Sequence, residues 1–306
     1  MPHYRMSDGE NLFVREYGAG APVLVLSGLG MQSWQWHPFL YRFRKNFQFI
    51  IPDWRGFGGS AQCKIPELDA ISSHWQDIQS LLEHLPYDKF NVIAYSMGAT
   101  TAMHGMQYGK FSDRIQSYLH IDQTPQIRSN ADWPYGLFGT RNPEFNQILS
   151  NISDVLSRNT GKNSIKQLNR NDRELLLQSW LNFIDLQASS KTAPFLIKQA
   201  LKRPMLQPYV LPIQRLDYLA WYINNYLHHQ QNYRSAICAL DAPATFFIGE
   251  QSKLYPSAGQ KIIANSLNNA EAVIFKKSGH TPLLSEPLKF GKAIGNFLRQ
   301  SAPVIE

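Results

Sequence analysis

Phe90-Asn91-Val92-Ile93-Ala94-Tyr95-Ser96-Met97-Gly98 decides the fold. The run Phe90–Ala94 is short, apolar and bounded by polar residues, as a buried strand should be. It breaks at Tyr95-Ser96-Met97, and a helical pattern continues through about Gln107. A serine hydroxyl is a poor nucleophile unless a base stands within hydrogen-bond reach and the oxygen is thrust clear of the backbone. A sharp strand–turn–helix elbow does the second of these. It needs small residues two before and two after the serine, because backbones cross closely there. Ala94 and Gly98 meet that need, giving A-x-S-x-G where glycine is the commoner first residue.

Similar apolar runs lie on both sides of this elbow. Val23–Leu26 leads into Ser27-Gly28-Leu29-Gly30, and Phe47–Ile51 ends at Pro52-Asp53. Trp75, Ile78, Leu81, Leu82 and Leu85 recur on one helical face. Tyr118–Ile121 ends at Asp122; Ala244–Ile248 and Ala272–Phe275 follow much later, and a last helix is expected over Pro287–Leu298. Strand-like runs alternating with helical patterns predict an α/β chain with a mostly parallel central sheet flanked by helices. From Gln123 to Gln231 no buried strand is evident. Helical stretches near Phe145–Leu156, Glu174–Leu186, Ala193–Leu201 and Ile213–Leu227 stand there instead. The expected organisation is a sheet core over 1–122 and 232–306, with a helical lid inserted over 123–231.

Four stretches in this order resemble the α/β-hydrolase fold superfamily over nearly the whole chain. They are Ser27–Gly30, Asp53-Trp54-Arg55-Gly56-Phe57-Gly58-Gly59-Ser60, the elbow, and Ser278-Gly279-His280 after the last strand. The resemblance implies that Ser96 is the nucleophile. It also implies that the backbone N–H groups of Leu29 and Met97 form an oxyanion hole. His280, in a loop bounded by glycine, is poised to act as general base. The Asp53–Ser60 turn reads as structural, with Gly-rich packing and an Asp–Arg contact. The resembling family commonly carries its acid in a Gly-x-x-Asp turn after the strand at Ala244–Ile248. Here the turn reads Gly249-Glu250-Gln251-Ser252, with serine in the acid's place. Asp122, ending the strand after the nucleophile strand, is the favoured substitute and Glu250 the alternative. Glu286 reads as a carboxylate at a helix N-terminus.

Composition narrows the classes. The chain of 306 residues is 43% hydrophobic and 17% charged, enough to bury a sizeable core. Its net charge of +7 comes from scattered Lys and Arg, including Arg42–Lys45, Lys198–Arg203 and Lys276–Lys277. That favours a solvated basic surface over a nucleic-acid partner. Two separated cysteines, Cys63 and Cys238, fit a reducing compartment, and no apolar run approaches a membrane span. A cytoplasmic protein without stable membrane insertion is expected. The adjacent His228 and His229 have no attendant carboxylates or thiols, so no metal is expected, and no cofactor. Trp34, Tyr95, Trp133, Tyr135 and Phe138 are candidate pocket residues, with Trp36 and Met97 beside them.

The expected activity is hydrolysis of a carboxylic ester, thioester or lactone through an acyl-enzyme, on a small hydrophobic or ring-bearing substrate. Two rivals stand beside it. Cofactor-free quinolone 2,4-dioxygenases share the fold and the displaced acid, although histidines flank their elbow serine where Tyr95 and Met97 stand here. The other is a non-catalytic ligand binder on the same fold.

Overall fold

A computed structural model describes residues 2–187, 198–199, 213 and 215–301. Eight strands form one sheet: β1 (His3–Arg5), β2 (Asn11–Gly18), β3 (Ala21–Leu26), β4 (Phe47–Pro52), β5 (Phe90–Tyr95), β6 (Ile115–Ile121), β7 (Ala244–Gly249) and β8 (Ala270–Phe275). Their order is β1-β2-β4-β3-β5-β6-β7-β8. From β4 to β8 every neighbouring pair is parallel, while β1 and β2 join one edge antiparallel. All six expected strands are present. The antiparallel pair was not anticipated, because Arg15, Glu16 and Tyr17 interrupt the apolar alternation of β2 on this half-exposed edge.

β5 is buried along its whole length, as a central parallel strand covered on both faces must be. One face is covered by helices Ala70–His84 and Met97–Tyr108; Trp54, Ile78, Leu81, Val92 and Met103 belong to that core. The other face is covered by helix Pro287–Gln300 with Trp36, where Phe49, Ile93, Phe247, Phe290 and Ile294 pack together. Asp69 starts the Ala70–His84 helix by accepting from the Ile71 and Ser72 amides at 3.0 and 3.1 Å, satisfying donors that a helix start leaves unpaired.

Between β6 and β7 the described residues hold helices Asn142–Arg158, Arg170–Gln187 and Leu216–His228, with a short turn of helix at Arg234–Cys238. Their apolar faces (Phe145, Leu149, Leu176, Leu219 and Tyr222 among them) are continuous with the core on the elbow-helix side of the sheet. The expected helix at 193–201 lies almost wholly outside the described residues, as does most of the basic segment 198–203.

The Asp53–Ser60 turn is structural, and its Asp–Arg contact is made by Arg55 with aspartates outside the turn, not with Asp53. Asp53 accepts from the Ser33 and Gly59 amides at 2.6 and 2.9 Å. Arg55 instead forms a buried bidentate pair with Asp77, at 2.8 and 2.6 Å, and reaches Asp8 at 2.7 Å. The turn brings glycine backbone against Asp53 so closely that a Cβ on Gly58 would meet Oδ2 at 2.1 Å.

Candidate active site

Parallel strands deliver their carboxyl ends to one edge of the sheet, where α/β folds hold their ligands. β3 ends there in Ser27–Gly30, β5 in Ser96, β6 in Asp122, β7 in the Gly249–Ser252 turn, and β8 in the loop that carries His280.

Ser96 stands at φ 52° and ψ −120°, a region a non-glycine residue occupies only under constraint. Two contacts hold it. Its amide donates to Ile121 O at 3.0 Å, and the helix beginning at Met97 passes so near β3 that a Cβ on Gly98 would lie 2.2 Å from Leu26 O. The strained turn sends the Ser96 side chain into a cavity instead of along the sheet.

His280 Nε2 lies 2.9 Å from Ser96 Oγ, and His280 Nδ1 lies 2.7 Å from Asp122 Oδ2. A carboxylate only accepts, so Nδ1 carries the proton and Nε2 is left to accept from the serine. The imidazole is packed as well as bonded. Tyr95 stacks on it at 5.3 Å and 27° while donating its hydroxyl to His280 O at 3.0 Å. Tyr255 meets it edge-to-face at 5.3 Å and 62°. Burial holds both phenols protonated, far above the ordinary tyrosine value.

Asp122 is fully buried and sits at φ 42°. Its Oδ1 accepts from the Gly249 amide at 3.1 Å and Gln260 Nε2 at 3.0 Å, and Oδ2 accepts from Ser252 Oγ at 2.8 Å. With His280, four donors serve one carboxylate, as a buried charge requires. Ser252, the serine found where an aspartate was expected, therefore hydrogen-bonds Asp122, the substitute favoured from the sequence. Glu250 is turned to the surface, where it takes Lys261 at 2.9 Å. Glu286 lies at the start of the last helix, as expected, yet caps no helical amide. It accepts from the Lys277 amide at 2.9 Å and Ser278 Oγ at 2.8 Å, bracing the loop that carries His280.

Leu29 follows Gly28, whose Cβ position would fall 3.3 Å from Ser96 Cβ and 3.0 Å from the Tyr95 ring. The loop thus lies directly on Ser96. Ser27 fastens it, with Oγ accepting from Trp36 Nε1 at 3.0 Å and its carbonyl from Trp54 Nε1 at 2.7 Å. Met97 is the first residue of its helix, so its amide has no intrahelical acceptor.

A cavity of about 510 Å³ opens from Ser96 and His280. Its far walls come from the segment between β6 and β7, chiefly Phe145, Ile152, Ile184, Leu219 and Ile223. Among the expected pocket residues, Tyr95 lines it. Trp34 does not; it is 56% exposed, its indole donating to Gln32. Trp133 is buried elsewhere because Nε1 donates to Thr124 Oγ1 at 2.9 Å, and Tyr135 packs on Trp133 at 5.3 Å. Phe138 stands behind the wall, against Phe145 and Phe183. Trp36 and Met97 are core residues. The sequence reading missed Tyr255, Tyr222 and Tyr226, which do line the cavity, and Gln260. Only the helical periodicity of Leu216–His228 could have brought the middle two forward.

Among the described residues no group of three His, Cys, Asp or Glu is placed to hold a metal ion, and no helix is long and apolar enough to cross a membrane.

A family model described as the alpha/beta hydrolase fold matches residues 21–287. A pimeloyl-[acyl-carrier protein] methyl ester esterase of Legionella pneumophila (strain Corby) is 23% identical over 290 residues, 94% of this chain and 100% of that protein. Two solved structures share the fold at a TM-score of 0.71. An esterase from Exiguobacterium antarcticum is 15% identical, covering 97% of this chain and 99% of its own. A thermophilic esterase from Thermogutta terrifontis is 20% identical, covering 98% of each.

Proposed function

The chain belongs to the alpha/beta hydrolase fold family, and from that premise we propose that it is a serine hydrolase of carboxylic esters. One observation carries the reading: the unbroken line Asp122 Oδ2, His280 Nδ1, His280 Nε2, Ser96 Oγ, with steps of 2.7 and 2.9 Å across the ring, opening on an apolar cavity.

In this reading His280 Nε2 takes the Ser96 proton as Oγ attacks the ester carbonyl. The Leu29 and Met97 amides hold the oxyanion, and Asp122 keeps the imidazole oriented and stabilises its charged form. The imidazolium then protonates the departing alkoxy oxygen. Water, deprotonated by the same nitrogen, releases the acid from Ser96. As the acyl–oxygen bond breaks, Ser96 Oγ takes that proton back from His280, and Asp122 carries none.

The apolar walls favour an aliphatic or ring-bearing acyl group of moderate size. We read residues 123–231 as a lid over that group, because its helices supply most of those walls. The Legionella relative's name makes a methyl ester of a pimeloyl-acyl-carrier protein the first substrate to try. The named relatives are esterases and do not favour the dioxygenase or the non-catalytic reading. Two free thiols, Cys63 and Cys238, support a cytoplasmic site of action.

The test is a stopped-flow trace with p-nitrophenyl butyrate. A burst of p-nitrophenol equal to the enzyme concentration, abolished in Ser96→Ala, is expected. Turnover that survives Ser96→Ala would end the proposal.

A further inference from the structure

The donor inventory around Tyr255 fixes where its proton goes. The Thr124 amide donates to Gln123 Oε1 at 2.7 Å, which settles the orientation of that buried amide. Gln123 Nε2 then faces Thr100 Oγ1 at 2.8 Å and the Tyr255 hydroxyl at 3.1 Å. Nitrogen of an amide only donates, so Tyr255 is the acceptor in that bond. Its single proton remains to be donated elsewhere. Tyr255 lines the cavity shared with Ser96 and His280.

We propose that Tyr255 is a catalytic hydrogen-bond donor to the departing alkoxy oxygen, with Gln123 as the positioning residue that turns its proton onto the reacting atoms. This rests on the ester-hydrolase reading. The placement distinguishes Tyr255 from the oxyanion donors. The Leu29 loop packs on Tyr95 and Ser96 through Gly28, whereas Tyr255 packs edge-to-face on the imidazole that must hand its proton to the leaving group. When the tetrahedral intermediate collapses, the carbon–alkoxy bond breaks and its electron pair goes to oxygen. That oxygen takes the Nε2 proton of His280, while Tyr255 bonds to it and keeps its own. Burial, which raises the phenol far above its ordinary value, keeps that proton in place throughout the working pH range.

The loop also ties this tyrosine to the acid. The Tyr255 amide donates to Ser252 Oγ at 3.3 Å, and Gln260 Nε2 donates both to Tyr255 O at 2.9 Å and to Asp122 Oδ1 at 3.0 Å. The segment after β7 thus positions the phenol and the carboxylate as one unit.

The experiment compares Tyr255→Phe with the unaltered enzyme on methyl butyrate and p-nitrophenyl butyrate, with kcat/KM as the readout. Methoxide is a far stronger base than p-nitrophenolate, so a donor to the leaving oxygen matters mostly for the methyl ester. A loss of roughly 30-fold on methyl butyrate, against no more than about threefold on the aryl ester, is expected. Gln123→Leu should show the same leaving-group dependence at smaller size, which a merely structural defect would not. Equal losses on the two esters, or no loss on the methyl ester, overturn the proposal. An unaltered enzyme that hydrolyses neither ester removes the hydrolase reading and this inference together. An active enzyme indifferent to Tyr255→Phe removes this inference alone.

Discussion

Replacing Asp122 by Asn tests whether the acid has moved to the strand after the nucleophile strand. The imidazolium formed during acylation lies against a fully buried carboxylate, Nδ1 to Oδ2 2.7 Å. Unit charges about 4 Å apart at an effective dielectric constant of about 20 attract by about 4 kcal/mol, roughly a thousandfold in rate. Asp122→Asn should therefore lower kcat/KM on p-nitrophenyl butyrate about 10³-fold, with KM little changed. A second substitution makes the claim sharper. Ser252 Oγ and His280 Nδ1 touch the same oxygen of Asp122, so Ser252 stands within two hydrogen-bond lengths of the imidazole. An aspartate side chain there reaches further than serine. Ser252→Asp in the Asp122→Asn background should recover at least about tenfold of the lost rate, about 1.4 kcal/mol. Initial rates over roughly pH 5–8, with melting curves to check folding, supply the assay. A folded Asp122→Asn enzyme within about tenfold of the original rate would refute the electrostatic argument. A folded double variant with no recovery would refute the claim that both strand ends address one nitrogen.

Other expectations follow from the same contacts. Gly98→Ala puts a Cβ 2.2 Å from Leu26 O, a clash with backbone that should cost about 3 kcal/mol or more, read as a fall in the urea midpoint. Ile223→Trp narrows the cavity wall and should cut kcat/KM on p-nitrophenyl octanoate about tenfold while sparing the acetate, a selectivity of one well-placed hydrophobic contact. Burial holds His229 neutral and pulls it down from 6.5 to about 4. Its folded value is depressed, so its contribution is present above pH 6.5 and is lost as pH falls toward 4, on the order of 1–2 kcal/mol at pH 5. Urea unfolding of His229→Gln should show a shallower loss of stability between pH 6.5 and 5 than the unaltered chain. Curves of equal slope would contradict the burial argument.

How legible each feature was depended on how local its physics is. The elbow was readable because strand, turn and helix preferences all act within a few residues of Ser96, and because Gly98 answers a close backbone approach. Five of the parallel strands, β3 to β7, were readable because burial on both faces makes their sequences largely apolar, and β8, where only Phe275 is fully buried, was readable from its apolar end Ala272–Phe275. β2 was not, since it is only partly buried and Arg15 and Glu16 disguise its apolar alternation. Asp122 could be favoured over Glu250 from its place at a strand end, but its fourfold hydrogen bonding could not be foreseen. Ser252 and Gln260 acquire meaning only once β6 and β7 are adjacent. The cavity was the least legible part. Trp133 and Phe138 have the right chemistry for a pocket wall, yet Thr124 captures one indole and neighbouring phenylalanines cover the other ring. Which face of a helix between β6 and β7 meets the cavity is decided by packing between distant segments.

The most direct test of the whole account is the site of covalent labelling. Brief treatment with a fluorophosphonate, followed by peptide mass mapping, should give one adduct, on the peptide containing Ser96. Labelling should be absent in Ser96→Ala and slowed at least about a hundredfold in His280→Ala, the lower range for loss of a general base. An unlabelled Ser96 in the folded protein, or labelling at full speed without His280, would contradict the claim that this imidazole activates this hydroxyl.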